Sequence, residues 1–220
     1  MVLRALAPAG PVWEPATLVD EFNVDRPAPD PAVWRQVSSA GVNSFTGLGQ
    51  LLAGNVLANN VRNRSLQIRT DHRVLSGKWL STYTVGDAVN TGLENTHGIT
   101  DGADPMSGRG VYLYAVSGTT TLRFRAANGS VSTSANSGGS APVGTRFELE
   151  SVGGGQYVVR RNGVKLGATR VDPYGPLDYE QLKEFDARPY HEQVSDRNAF
   201  GQQGWGSRVQ RWAFSSTALA

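Results

Sequence analysis

Oxygen-bearing side chains concentrate in one polar, glycine-rich segment, residues 86–109, and their chemistry suits calcium. Calcium takes about six to eight oxygen ligands from carboxylates, amides and carbonyls. The segment offers Asp87, Asn90, Glu94, Asn95, Asp101 and Asp104. Because their spacing lacks the pattern of an EF-hand loop, an ordinary polar loop with side-chain-to-backbone turns is the favoured interpretation. Asp87, Asp101 and Asp104 remain calcium candidates, and no cofactor is expected.

Histidine and cysteine chemistry is sparse in this 220-residue chain. The three histidines, His72, His97 and His191, lie far apart in the sequence, and none has a second histidine at the spacing of a helical zinc site. There is no cysteine, which excludes disulfides, thiolate metal sites and cysteine nucleophiles. The sequence therefore predicts no shared metal site.

Four aromatic residues could form a platform for a sugar: Trp79, Tyr83, Tyr112 and Tyr114. The flat faces of such rings stack well on pyranose rings. The alternative is that these residues belong to the hydrophobic core, where most tryptophans and tyrosines bury their rings and keep a polar tip bonded. Both interpretations stay open at this point.

The elements that must position these side chains are short β-strands. Residues 110–169 contain runs of β-branched and aromatic residues separated by Gly, Ser, Asn and Pro clusters. Leu122 and Phe124 alternate with Arg123 and Arg125, as expected of a half-buried antiparallel strand. Asn162-Gly163 indicates a two-residue hairpin turn, because Asn followed by Gly tolerates positive φ at both positions. The segment predicts an antiparallel meander.

The rest of the chain predicts one domain. Residues 1–16 are rich in Pro and Ala and predict an extended N-terminal arm, and residues 17–220 predict a single β domain. Residues 86–109 predict a long loop. Within 172–198, the helical spacing of Leu177, Leu182 and Phe185 predicts a short helix in an insertion. The last strand is predicted from Val209 to Ser215.

The order of these signals resembles a known family. Asp20-Glu21-Phe22 is followed by Trp34, then by the strand Ser65–Arg69, the turn Arg161–Val164, Gly204-Trp205-Gly206-Ser207 and a closing aromatic strand. This pattern is similar to the concanavalin A-like, or laminin-G-like, jelly roll, in the version found in minor tail proteins of actinobacterial phages. The resemblance implies an all-β antiparallel sandwich whose first and last strands pair.

The same resemblance implies a structural, non-enzymatic function. The chain is expected to be a minor tail protein at the tail tip or a fibre, located in the virion after synthesis in the host cytoplasm. Its partners would be other tail proteins, further copies of itself and host cell-wall polysaccharide. A capsid decoration protein is one alternative. A glycan hydrolase of the same fold is another.

The hydrolase alternative is disfavoured by the acidic residues. Glycosidases of this fold carry paired carboxylates on one strand, spaced Glu-x-Asp-x-x-Glu, and this sequence has no such motif. Glu148 and Glu150 share a strand face, which is interpreted as a solvated surface. The net charge of the chain is only +2, and its arginines are scattered along the sequence. No nucleic-acid partner is therefore expected. No apolar run approaches the roughly 20 residues of a membrane span, so no membrane insertion is expected.

Overall fold

The structure, a computed structural model, describes residues 16–47, 50–86, 95–116, 118–139, 141–205 and 208–216. In chain order its elements are β1 (Ala16–Asp20), β2 (Trp34–Ser38), β3 (Phe45–Gly47), β4 (Gln50–Leu52), β5 (Val61–Arg69), β6 (Lys78–Val85), β7 (Asn95–Asp101), β8 (Gly110–Val116), β9 (Gly118–Arg125), β10 (Val131–Gly139), β11 (Arg146–Gly153), β12 (Gln156–Arg161), β13 (Val164–Lys165), β14 (Arg170–Val171), α1 (Tyr179–Glu184), β15 (Ala187–Arg197), β16 (Gln203–Trp205) and β17 (Val209–Ser216). The predicted arm, residues 1–16, lies outside the described residues except for Ala16.

The strands form two antiparallel sheets that pack face to face. Sheet I has the order β13-β12-β11-β6-β17-β4-β3, with β1 added beside β17 and β14 beside β12. Sheet II has the order β10-β9-β8-β7-β15-β5-β2, with β16 added beside β15. The predicted all-β sandwich is therefore confirmed. Sheet II has one face against sheet I and one face turned away from it, which is called the outer face below.

The first and last strands pair, as predicted. β1 runs antiparallel to β17 from Ala16 opposite Ser216 to Asp20 opposite Trp212. The Asp20 carboxylate then accepts hydrogen bonds from the Phe22 backbone N–H at 2.8 Å and from the Trp34 indole N–H at 2.7 Å. Trp34 packs edge-on against Trp212 at a ring distance of 4.9 Å. The aspartate at the end of β1 thus holds a corner of the core together.

The predicted meander is divided between the two sheets. β8, β9 and β10 are neighbours in sheet II, whereas β11, β12 and β13 are neighbours in sheet I. The inward positions agree with the predicted alternation, because Leu122, Phe124, Phe147 and Leu149 are all buried. The β12–β13 turn is also confirmed, with positive φ at both Asn162 and Gly163.

Two predictions about connections are wrong. The predicted loop 86–109 contains β7, and the predicted insertion 172–198 contains β15, and these two strands pair with each other in the middle of sheet II. The short helix α1 lies where the helical spacing of Leu177, Leu182 and Phe185 predicted a helix. Its N-cap, Asp178, accepts hydrogen bonds from the Glu180 and Gln181 N–H groups, which explains where it begins.

The core lies between the sheets and is aromatic on the sheet I side. Trp79 packs there against Tyr157 at a ring distance of 5.9 Å and against Phe214 at 5.7 Å. Sheet II contributes aliphatic residues, Trp34 and Phe124. Phe124 packs on Tyr157 at a ring distance of 5.4 Å. No helix in the described part of the chain is long and apolar enough to cross a membrane.

Candidate functional site

A row of side chains crosses the outer face of sheet II perpendicular to the strands. Strand register places the following residues side by side from β2 to β9: Arg35, Ile68, Tyr190, Gly98, Tyr112 and Arg123. This set is called the central row. Because neighbouring strands lie about 4.8 Å apart, it spans about 24 Å. An arginine stands at each end, and tyrosines occupy the middle.

The middle of the central row is an aromatic floor. Tyr112 and Tyr190 are buried and meet edge to face at a ring distance of 5.9 Å, although β7 runs between their strands. Gly98 of β7 makes this contact possible, since it places no side chain between the rings. Its φ is +151°, and a Cβ atom there would lie 2.3 Å from the Val111 carbonyl oxygen. Glycine is therefore required at this point of the row.

Arg123 lies against two tyrosines of the neighbouring strand. Its guanidinium carbon is 4.9 Å from the ring centre of Tyr114 and 5.8 Å from that of Tyr112. Tyr114 is half-buried, so part of its ring stays accessible at the edge of the floor. Cation–π contacts of this kind hold the flat guanidinium in one orientation.

One carboxylate lies in the floor beside the central row. The Glu192 side chain is only 2% exposed and accepts two hydrogen bonds from Arg64, from Nε at 2.6 Å and from Nη2 at 2.9 Å. The Glu192 hydrogen bond is also the largest cause of the raised pKa of Arg64. Glu192 stands two residues from Tyr190 on β15, on the same face. Burial is the main reason that the Tyr190 pKa lies well above its usual value.

The predicted aromatic platform does not exist as a unit. Trp79 and Tyr83 belong to sheet I and point into the core between the two sheets, so neither can stack on a sugar. They alternate with outward residues of β6, and their face is the inner one. Tyr112 and Tyr114 point the other way, to the outer face of sheet II. The sequence could not tell these two pairs apart. All four residues lie in strands whose side chains alternate between two faces, and alternation alone does not show which face is turned toward the core.

The calcium candidates form turns in the structure. Asp101 accepts hydrogen bonds from the Ala103 and Asp104 N–H groups at 2.8 and 2.9 Å. Asp104 accepts from the Ser107 N–H at 3.1 Å and from its hydroxyl. Asp87 lies outside the described residues. Within the ranges that the structure describes, no group of three or more His, Asp or Glu side chains could hold a metal ion.

Two histidines meet inside the sandwich although they are 94 residues apart in the sequence. His97 of β7 is directly opposite His191 of β15, and both rings contact Tyr83, at 4.9 and 5.7 Å. The Ser81 hydroxyl is 2.9 Å from His97 Nδ1. Burial lowers the pKa of His191 to about 3 and that of His97 well below its usual value. Both rings are neutral in the folded protein at neutral pH.

The sequence matches no protein-family model and no curated protein sequence. Solved structures do match its fold. An endo-β-1,3(4)-glucanase of family GH16 has a TM-score of 0.60 at 12% identity, over 94% of each chain. β-Agarase A from Zobellia galactanivorans has a TM-score of 0.58 at 10% identity, over 98% of this chain and 97% of that one. An endo-acting O-glycanase structure from the human gut microbiota has a TM-score of 0.58 at 14% identity, over 92% and 99%.

These comparisons establish the fold as the concanavalin A-like jelly-roll sandwich of GH16 glycanases. They also overturn the expected function. Several glycan-cleaving enzymes match over more than nine-tenths of this chain, and these matches give no support to a phage tail-protein family. The expectation of a non-enzymatic tail or capsid protein is therefore wrong.

The residues that sequence reasoning missed lie on β5, β7 and β15. Arg64, Gly98, Tyr190 and Glu192 come together only because β7 and β15 are central strands. No alternation signal for β15 was present in the sequence, because Glu192 lies among its outward residues and His191 among its inward ones. The Glu148–Glu150 face belongs to sheet I. There Glu148 accepts from Arg146 at 2.8 Å and Glu150 pairs with Arg160, so each carboxylate has its own arginine.

Proposed function

We propose that this protein is an endo-acting glycoside hydrolase that binds an extended glycan across the outer face of sheet II. The observation that supports this most directly is the position of Glu192, a buried carboxylate beside the tyrosine floor of the central row. Two structural neighbours whose names describe endo-acting glycanases favour the same activity.

The central row suits a chain of sugars. Sugar rings present apolar faces and polar edges, and tyrosine rings match that character with an apolar body and a polar tip. Tyr114 supplies accessible ring surface beside the buried pair formed by Tyr112 and Tyr190. A row of about 24 Å accommodates several sugars, which agrees with cleavage inside a chain instead of at its end.

Glu192 suits one of the two carboxylate roles in glycoside hydrolysis. One carboxyl group protonates the leaving oxygen, and the other, as an anion, attacks the sugar or activates water. Glu192 is held in an ion pair by Arg64, which favours the anionic role over proton donation. Paired carboxylates lie about 5–10 Å apart. Asp196, the next acid on the same face of β15, is four residues away and so about 13 Å along the strand.

The proton donor must therefore be identified by experiment together with Glu192. Reducing-end release would be measured with the purified chain on laminarin, agarose, porphyran and mucin O-glycans. Glu192→Gln is expected to lower the rate about 10²–10⁴-fold on the polysaccharide that is cleaved. Asp196→Asn and Glu94→Gln would be assayed in parallel, because Glu94 directly precedes β7 in the sequence.

The matched control is Glu150→Gln. Glu150 also pairs with an arginine on the outward side of a strand, but it belongs to sheet I. Glu150→Gln should therefore leave the cleavage rate unchanged within about twofold. Full activity in folded Glu192→Gln would contradict the proposal, and so would the absence of cleavage or binding across the whole set of polysaccharides.

A further inference from the structure

Arginines outnumber carboxylates on the outer face of sheet II. Strand alternation and register place six there: Arg35, Arg62, Arg64, Arg123, Arg125 and Arg188. The described acids on this face are Glu192 and Asp196. Arg64 is paired with Glu192, and Arg188 is paired with Asp186 at 3.0 Å. In the described part of the chain, no carboxylate lies at ion-pairing distance from Arg35, Arg123 or Arg125.

Arg125 has a structural reason for its position. It is buried and donates to the carbonyl oxygens of Met106 and Pro105 and to the Thr100 hydroxyl, at 2.8–3.1 Å. These bonds fix the loop after β7, but they leave the positive charge uncompensated by an acid. Its charge adds to the field at the floor of the outer face, because low-dielectric surroundings screen it weakly.

Arg123 is built as an anion-binding group. Two tyrosines hold the flat side of its guanidinium, and its Nε atom is buried without a hydrogen-bond partner among the described residues. Arginine presents five N–H donors in a rigid fork that matches the oxygens of carboxylate, phosphate and similar anions. Leaving such a donor unsatisfied in a buried position costs free energy. An anionic oxygen bound to Arg123 would remove that cost.

Arg35 stands at the opposite end of the central row and is exposed. One terminal nitrogen of Arg35 donates to the Gly102 carbonyl oxygen, which steadies the side chain. Its Nε and Nη1 atoms have no hydrogen-bond partner in the ranges that the structure describes. The row thus has a cation at each end and an uncharged aromatic centre between them, and this pattern fits a polymer that carries negative charges along its length.

We propose that the glycan bound by this face is anionic, with sulfate or carboxylate substituents held by Arg123 and Arg35. The inference rests on the proposed glycan site and adds the chemical class of its ligand. Arg123 would bind one charged substituent bidentately, while the uncharged part of the sugar chain lies over Tyr112 and Tyr114. Arg35 would bind a second charged substituent about 24 Å away.

The test compares binding of three polysaccharides by the inactive Glu192→Gln chain. Porphyran carries sulfate, alginate carries carboxylate, and agarose carries no charge. An anionic polymer is expected to bind at least tenfold tighter than agarose in low salt. The preference should fall strongly in 1 M salt, where the Debye length is about 3 Å. Comparing the affinities for porphyran and alginate shows whether the site prefers sulfate or carboxylate substituents.

Variants assign that preference to the arginines. Arg123→Gln is expected to reduce the anionic preference about tenfold, and Arg35→Gln about threefold. Arg123→Lys keeps the charge but loses the fork and the flat stacking, so it should retain only part of the preference. Arg160→Gln removes a comparable arginine on sheet I and should change nothing. Thermal unfolding of each variant checks that it is folded.

The outcomes separate this inference from the proposed function. Salt-insensitive binding of agarose as tight as that of porphyran and alginate would overturn the anionic class while leaving the glycan site intact. An anionic preference unchanged in folded Arg123→Gln and Arg35→Gln would also overturn it. Failure of all three polymers to bind would contradict the glycan site itself and the inference with it. If Arg123→Gln loses the anionic preference and Arg35→Gln keeps it, the result would support Arg123 as an anion-binding residue and exclude Arg35 from that role.

Discussion

The interior of the sandwich and the outer face of sheet II are made by the same strands, but they treat ionisable groups in opposite ways. On β15, His191 points inward and Glu192 points outward. His191 is fully buried, and burial keeps it neutral by lowering its pKa to about 3. Glu192 is almost as buried, yet Arg64 provides a counter-charge through two hydrogen bonds. The two residues therefore differ in whether a charged partner is present, and not in how deeply they are buried.

This contrast indicates where chemistry at neutral pH can take place. A buried charge without a partner is expensive, so the part of the interior around His97 and His191 uses neutral polar groups and aromatic rings. The outer face supplies arginines in excess and therefore tolerates anions, both its own and those of a ligand. Changes of interior side chains should alter stability without altering glycan binding, and changes of accessible side chains on the outer face should alter glycan binding with little effect on stability.

The largest expected effect is that of Trp79→Ala. Trp79 is buried between Tyr157 and Phe214, so its truncation should cost about 3–5 kcal/mol of unfolding free energy. Tyr114→Ala should cost less than about 1 kcal/mol but weaken glycan binding about tenfold. Urea unfolding and titration with porphyran would measure the two quantities. Loss of binding in folded Trp79→Ala, with none in Tyr114→Ala, would reverse the assignment of the faces.

Gly98→Ala should have the next largest effect. The new Cβ would lie 2.9 Å from Tyr112 Cα as well as close to the Val111 carbonyl, and the φ of +151° is strained for alanine. We expect a loss of about 3 kcal/mol and weaker glycan binding, since Tyr112 must move. Gly144→Ala is the control. Its φ is +83° with no atom within 4 Å of the added Cβ, so strain alone should cost about 1 kcal/mol. Equal losses in both variants would contradict the packing argument.

Acid should destabilise the interior through its histidines. The folded-state pKa of His191 is about 3 and its unfolded pKa about 6.5, so the unfolded chain binds the proton more readily between these values. Stability is thus complete above pH 6.5 and declines as pH falls toward 3. Lowering pH from 6.5 to 5 should cost about 2 kcal/mol for His191, and His97 should add to this. His191→Gln should flatten the dependence measured by urea unfolding. An unchanged slope in that variant would show that other groups cause it.

The smallest effect is expected on the outward side of sheet I. Arg160 and Glu150 are each about one-third exposed, and surface ion pairs of this kind contribute about 0–1 kcal/mol. Arg160→Gln should therefore change stability by less than about 1 kcal/mol and leave glycan affinity unaltered. A marked loss of affinity would mean that the glycan also contacts sheet I, and the contrast drawn above would no longer hold.

The sequence predicted the strands whose two faces differ in polarity. β9 alternates Leu122 and Phe124 with arginines, and β11 alternates Phe147 and Leu149 with acids, so both strands were recognised with the correct inward side. The Asn162-Gly163 turn followed from backbone chemistry alone. The split of the meander between two sheets could not be predicted, because alternation identifies a buried face without specifying the sheet that covers it.

The candidate site was missed for a related reason. β7 and β15 are buried on both faces, and their inward side chains include His97, His191 and Gln193. A strand with polar residues inside and Tyr190 and Glu192 outside shows no hydrophobic alternation, so both segments were interpreted as loop or insertion. Tyr112 and Tyr114 were candidates because flat aromatic rings stack on sugars, but the positions of Gly98, Arg64 and Glu192 beside them depend on long-range strand pairing.

The most direct test is a crystal structure of the Glu192→Gln chain with an oligosaccharide of porphyran or agarose. The account predicts sugar density over Tyr112 and Tyr114, running along the central row with residue 192 beside it. Sugar bound instead on sheet I, in the groove of about 250 Å³ lined by Thr17, Val19, Leu80 and Thr82, would contradict the assignment of the site.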